Sequence, residues 1–183
     1  MTKAIVIGDG PAGLSAALFL AKNGVETTVF GQDNTAMHYA ELHNYLGIPV
    51  IGGTEFQEIA RRQVRDKGAT LLSGEATAVH KDGETFRVTA ADGNTHEADY
   101  VVIAEGKSAR LAKALGLAMN EDGVTVDRNH RAGIDGLYVV GRATRTGRSQ
   151  AIISAGQGGT AAIDILSRLK GADVRDFDEP PNE

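Results

Sequence analysis

The segment Gly8-Asp9-Gly10-Pro11-Ala12-Gly13 constrains this chain more than any other stretch of it. It follows a short β-branched run, Lys3 to Ile7, of the kind that makes a buried parallel strand. An Ala- and Leu-rich helical stretch leads from it to about Asn23, where Gly24 stops it. Val25 to Phe30 reads as a second strand, which completes a β-α-β unit of about thirty residues. Each glycine has a physical task. Gly8 permits the tight turn, Gly10 lets the backbone approach a pyrophosphate, and Gly13 lets the helix pack closely on the strand. Pro11 suits the first helical turn, where its missing N–H is not needed. With Ala12 it opens a helix whose unpaired N–H groups and positive dipole end attract an anion. In this strand-turn-helix setting the loop is a dinucleotide site, against the plainer reading of a turn that only serves helix packing.

An acid about twenty residues further on ordinarily holds the ribose. Here Gly31 stands where it is expected, followed by Gln32 and Asp33. Either of these would serve, or Asp33 merely caps the loop. From Gly31 to Gly53 the periodicity fails, which marks a long, functional or partly structured connection. Thr54 then opens a helix to about Lys67, with Gln57 completing a capping box. Ala69 to Leu72 reads as a third parallel strand.

The texture then changes. Ala76 to His80, Thr85 to Ala91 and Thr95 to Ala98 alternate in polarity, and Asp82-Gly83 and Asp92-Gly93 separate them. That pattern predicts a small antiparallel meander. Tyr100 to Ala104 and Leu137 to Val140 are buried-strand runs, with a short helix from Ala109 to Leu115 between them. Ala151 to Leu169 is the closing helix. The expected fold is therefore a three-layer α/β domain of Rossmann type, with a central parallel sheet, helices and the meander. Residues 1–172 form one domain, and 173–183 a flexible acidic tail.

The chain of 183 residues carries a formal charge of −5 with acids and bases interspersed, which argues against a nucleic-acid partner. It has no cysteine, so it can supply neither a disulfide, a thiolate metal site nor a redox dithiol. The five histidines are scattered without metal-ligand spacing, and no metal is expected. No stretch reaches the ~20 apolar residues that span a bilayer, and Ala4 to Ile7 is no signal peptide, so a cytoplasmic location is expected.

The order of these segments resembles the thioredoxin reductases and their FAD-dependent pyridine nucleotide-disulfide oxidoreductase relatives. Residues 8–17 look like the family's opening, and His43-Asn44-Tyr45-Leu46-Gly47 is similar to its Asn-containing flavin loop. Ala104-Glu105-Gly106 sits at its Ala-Thr-Gly position, and residues 137–142 match the strand that normally ends in Gly-Asp. Ser149-Gln150-Ala151-Ile152 and Ser154-Ala155-Gly156 resemble its last helix start. The resemblance implies an FAD-binding domain in which Gly31, Gln32, Asn44 and Ala76 join the glycine loop around the cofactor. Ala104, Glu105 and Gly106 do the same, as do Gly141, Arg142, Gln150 and Ala151. It also implies a homodimer.

Three departures qualify what the resemblance implies. Only about twenty residues separate Leu117 from Leu137, too few for the family's inserted NAD(P)H domain. Its Cys-x-x-Cys is missing as well. Arg142 replaces the Asp that binds the ribityl chain, and Glu105 replaces Thr. These two either pair with one another, or Arg142 meets the pyrophosphate, or both turn to solvent. If Gln150 and Ala151 face the isoalloxazine N1–O2 edge, the helix dipole favours the negative charge that reduction places there. Gly156, Gly158 and Gly159 would let that helix pack tightly against cofactor or sheet, or serve simple close helix packing, or both. His38, Tyr39, His43 and Tyr45 either border the flavin or, for the histidines, stand as solvated surface groups. The expected function is an oxidoreductase passing electrons between NAD(P)H or a partner reductase and an acceptor. A non-catalytic flavin or nucleotide module, or a minimal NAD(P)-binding domain, is the alternative.

Overall fold

The computed structural model describes residues 1–179. Its first unit is β1 (Lys3–Ile7), α1 (Pro11–Lys22) and β2 (Glu26–Gly31), with the two strands paired in parallel. The connection that follows is partly structured. It holds a 3₁₀ turn at Ala36–Tyr39 and a two-rung antiparallel clasp of β3 (Glu41–Leu42) with β4 (Ile51–Gly52). Next come α2 (Gly53–Asp66) and β5 (Thr70–Ser73). Then β6 (Ala76–Asp82), β7 (Thr85–Ala90) and β8 (Thr95–Ala98) form the expected antiparallel meander. β9 (Tyr100–Ile103) returns to the main sheet and is followed by α3 (Arg110–Ala114). A hairpin of β10 (Met119–Asn120) and β11 (Gly123–Val124) precedes β12 (Leu137–Val139) and α4 (Ala151–Lys170).

The parallel sheet has five strands in the order β12-β9-β1-β2-β5. Its period-two alternation sorts the core into two halves. Ile5, Ile7, Val101, Ile103, Leu137 and Val139 face the meander and pack on Val79, Phe86 and Val88. Ala4, Val6, Val102 and Tyr138 face the other way, onto Leu14, Ala17 and Leu20 of α1 and Ala161, Ala162 and Ile165 of α4. The continuous apolar runs of β1, β9 and β12 are thus explained by burial on both faces.

A polar cluster fixes α4 beneath the sheet. Tyr138 is fully buried, and its hydroxyl donates to Asp164 Oδ2 at 2.6 Å. Arg131 grips the same carboxylate in two bonds of 2.7 and 2.6 Å, and Asn129 adds a third donor at 2.9 Å. Burial alone would raise the Asp164 carboxyl. Arg131, Tyr138 and Arg168 together hold it below its ordinary 3.8.

One local expectation is corrected, and one element is new. Thr54 and Gln57 form no capping box, because α2 begins one residue earlier and has no side-chain cap. Thr54 instead bonds His38, and Gln57 turns inward to the Asp9 carbonyl. The hairpin of β10 and β11 carried no pattern strong enough to read in four residues. Gly123 makes it fit, since a Cβ there would lie 2.1 Å from the Ala143 carbonyl oxygen.

Beyond α4 the chain runs back over α1. Val174 N donates to Ser167 Oγ, and Lys22 pairs with Asp176 and Asp178. Residues 180–183 of the expected tail lie outside the described residues. Among the described residues no helix is long and apolar enough to cross a membrane.

Candidate functional site

A parallel sheet directs its loops to the carboxyl ends of its strands, and there this chain opens a cleft of about 590 Å³. Loops after β1, β2, β5, β9 and β12 line it. Gly8 turns with φ of +108°, and a Cβ on it would lie 2.3 Å from the Ala104 carbonyl oxygen. A Cβ on Gly13 would lie 1.8 Å from the Gly8 carbonyl oxygen, so this glycine sets the approach of α1 to β1. Gly10 meets nothing within 4 Å, which leaves its backbone open to the cleft.

Two helices begin on this cleft, and neither is capped by a side chain. α1 starts after Gly10 and α4 after Gln150. Pro11, Ala12, Ala151 and Ser154 place both first turns on the lining. Unpaired N–H groups at a helix start are buried at a cost unless a ligand or water meets them. Here both starts lie on the lining of the same cleft. α4 reaches this position through Gly158, where a Cβ would lie 2.0 Å from the Ala12 carbonyl oxygen. That glycine serves close packing of α4 on α1, while Gly156 meets nothing within 4 Å.

The third helix beginning nearby is capped. The Glu105 carboxylate accepts from Leu111 N at 2.9 Å and from Ala112 N at 3.1 Å. Glu105 therefore neither pairs with Arg142 nor turns to solvent, because the exposed amides of α3 outcompete both. Arg142 lines the cleft without an ion pair among the described residues. Glu105→Ala should lower stability by roughly 0.5–2 kcal/mol through the lost cap. Adding Arg142→Ala should change that loss by less than about 0.5 kcal/mol in thermal denaturation, and coupling well above this would show that the two side chains meet.

Of the residues expected at the site, Gly8, Gly10, Pro11, Ala12, Gly31 and Gln32 line the cleft. So do Ala76, Ala104, Glu105, Gly106, Gly141, Arg142, Gln150 and Ala151. Gly13 lies behind the lining as a packing residue. Asn44 is not on the lining either, and its Nδ2 donates to Gln150 Oε1 at 3.1 Å, tying the long connection to the start of α4. The loop aromatics and histidines do not reach the cleft. His38 bonds Thr54 and Asp33, Tyr39 is 90% exposed, His43 pairs with Glu41, and Tyr45 packs on Phe56. Met37, Ala40 and Leu42 form that wall instead.

Asp33 turns away toward His38 and is absent from the lining. Sequence reasoning passed over Asp9, which lines the cleft although only 5% of it is exposed. Its carboxylate pairs with Arg61 of α2 and accepts from Asp33 N at 3.0 Å. Burial holds its carboxyl above the ordinary 3.8, with Arg61 and the Asp33 N–H pulling the other way. The available signal was complementary size: an acid at position 9 opposite a residue without a side chain at 31. Among the described residues no cluster of His, Asp and Glu is arranged to hold a metal.

Comparison with known proteins agrees with this geometry. Residues 48–159 match the family model described as pyridine nucleotide-disulphide oxidoreductase, and residues 1–43 match an FAD binding domain. The thioredoxin reductase of Streptomyces coelicolor is 36% identical over 126 residues, covering 66% of this chain and 38% of that protein. That of Rickettsia prowazekii is 26% identical over 169 residues, covering 90% and 51%. The chain thus matches about half or less of the length of these relatives. The solved atypical thioredoxin reductase TRi from Desulfovibrio vulgaris superposes with a TM-score of 0.85 at 19% identity, over 93% of this chain and 99% of that one. A thioredoxin reductase from Gloeobacter violaceus gives 0.86 at 16% identity, over 98% and 100%. These likenesses establish the fold. FAD is the cofactor they indicate, and the glycine cradle, the two uncapped helix starts and the cleft volume suit a dinucleotide of that size.

Proposed function

From its membership of the pyridine nucleotide-disulphide oxidoreductase family, to which this chain belongs, we propose that it is an electron-carrying flavoprotein without a dithiol of its own. One observation carries the reading: α1 and α4 both open, uncapped, onto a single cleft. In this assignment the loop at residues 8–13 and the start of α1 hold the pyrophosphate, and residues 1–172 act as one FAD-binding domain. The α4 end of the cleft receives the isoalloxazine ring, whose bound form supplies reversible hydride and electron acceptance. The chain's own part is to orient and to tune. Gln150 is steadied by Asn44, and Gly141 N donates to Gln157 Oε1 at 2.7 Å, which pins the loop before α4. The positive end of α4 favours negative charge beside it by about 0.3–1 kcal/mol or somewhat more when buried. Arg142 adds a cation to the same wall.

The electron donor is free NAD(P)H or a partner reductase, and the acceptor lies outside the chain. The family resemblance supports a homodimer, and the lack of a long apolar helix among the described residues is consistent with work in the cytoplasm. A second reading, a flavin-binding module without turnover, has one observation in its favour. Among the described residues the lining holds no histidine or thiol, and its carboxylates, Asp9, Glu75 and Glu105, are engaged by Arg61, Arg110 and the α3 amides.

Anaerobic stopped-flow mixing of the FAD-loaded protein with NADH, NADPH or a reduced partner flavoprotein separates the two. Bleaching of the flavin absorbance within seconds by any one of them is the expected result for the electron carrier. A flavin untouched by all three would leave the module.

A further inference from the structure

We infer that Asp9 reads the ribose hydroxyls of the bound adenosine, from within the glycine loop, and so selects a nucleotide without a 2′-phosphate. This rests on the reading of the cleft as an FAD site.

In a dinucleotide fold the ribose acid ordinarily projects from the end of the second strand. This chain has Gly31 there, and the space its side chain would need is already taken. A Cβ built on Gly31 would lie 2.2 Å from Asp9 Cγ and 2.4 Å from its Oδ2. The carboxylate of the loop thus stands where the strand's own acid would start. It lines the cleft together with Gln32, Asn34 and Thr35.

The group is held like a reading head. Arg61 and the Asp33 N–H both engage Oδ2, and no other residue among those described donates to Oδ1. Below it, Gln57 is fully buried and donates from Nε2 to the Asp9 carbonyl oxygen, which fixes the backbone. An ionised carboxylate has room for about four hydrogen bonds and donates none. Its free oxygen suits a ribose hydroxyl and repels a phosphate ester. Arg61 does not reverse that preference, because its guanidinium is committed to Oδ2 and is not on the lining. A purely structural Asp9–Arg61 pair would need no place on the cleft wall.

The test compares FAD with its analogue lacking the adenosine 2′-hydroxyl, each titrated into deflavinated protein by flavin fluorescence. Wild-type protein should bind FAD about tenfold or more tightly than the analogue, as befits loss of a hydrogen bond to a charged acceptor. In Asp9→Asn, shown to be folded by circular dichroism, FAD should weaken and the ratio should fall toward one. A wild-type ratio near one overturns the assignment without any variant, which covers an Asp9→Asn protein that does not fold. So does an undiminished ratio in folded Asp9→Asn. Protein that binds neither compound overturns the FAD reading and Asp9 with it, whereas equal binding of both overturns Asp9 alone.

Discussion

Gly13→Ala should cost the chain most of its nucleotide site. The added methyl would lie 1.8 Å from the Gly8 carbonyl oxygen and 3.2 Å from Val6 Cγ1, inside van der Waals contact with both. The first neighbour is backbone and cannot rotate away, so α1 must lift from β1. Overpacking of this kind typically costs about 1–3 kcal/mol and occasionally more. Because the carbonyl belongs to the turn itself, the upper end is expected, a fall in melting temperature of roughly 6–12 °C for a chain of this size. The same displacement moves the α1 amides off the pyrophosphate. FAD affinity should fall at least about a hundredfold, near 3 kcal/mol of lost binding. Calorimetric unfolding and FAD titration check the two parts separately. Wild-type stability and affinity in this variant would mean that α1 is not set by Gly13. Gly10→Ala is the contrasting case, since no protein atom lies within 4 Å of the new methyl. It should leave the apoprotein's stability nearly unchanged while still weakening FAD, which separates steric room for the protein from steric room for the ligand.

Asp164→Ala should produce the largest loss of stability away from the cleft. It would strand the buried Tyr138 hydroxyl, the Arg131 guanidinium and the Asn129 amide at once. Removing one partner of a buried ion pair commonly costs about 3–5 kcal/mol, because the remaining groups lose their compensation. Arg131 is partly exposed at 42%, so water recovers some of that, and about 3 kcal/mol is expected. Asp164→Asn should lose less, since it keeps the shape and one acceptor. The pH dependence follows from the direction of the shift. The folded carboxyl lies below its ordinary 3.8, so the stabilisation is complete above that value and disappears as pH falls through and below it. Asp9 runs the other way: its carboxyl is raised, so its burial weighs against the fold as pH rises past 3.8. Wild-type protein should therefore lose stability between about pH 4 and pH 2 faster than Asp164→Ala does. Denaturant midpoints across that range measure it, and parallel curves would contradict the assignment.

The centre of the sheet was legible because β1, β9 and β12 are apolar runs between turn residues. Lys3–Ile7, Tyr100–Ile103 and Leu137–Val139 are buried on both faces, and burial of that kind leaves a continuous signature. The meander was equally legible, because one of its faces is wet and Asp-Gly pairs mark its turns. The cleft followed from these two facts and from the glycine loop, since a parallel sheet has only one end at which such a loop can sit. What escaped was decided by competition between side chains distant in sequence. Gln57 fits a capping box as written, yet its amide gains more by satisfying a buried carbonyl 48 residues away. Glu105 looks like a partner for Arg142, yet its carboxylate is taken by the amides of α3. Asp9 stands between two glycines of the loop at a position to which the glycine pattern assigns no role. Its meaning lies in the void at Gly31, and periodicity does not record voids.

The family model and the relatives set the frame, and the geometry gives it content specific to this chain. Gly158 brings α4 against α1, and the clasp of β3 and β4 with Asn44 brings the long connection to Gln150. Both devices serve the same end, a helix start delivered to a defined place on the cleft. The absorbance spectrum of freshly purified protein, with mass spectrometry of the small molecule released on denaturation, asks most directly whether that place holds a flavin. A yellow protein that releases FAD, about one per chain, is the expected result. A colourless protein that takes up no added FAD would contradict it.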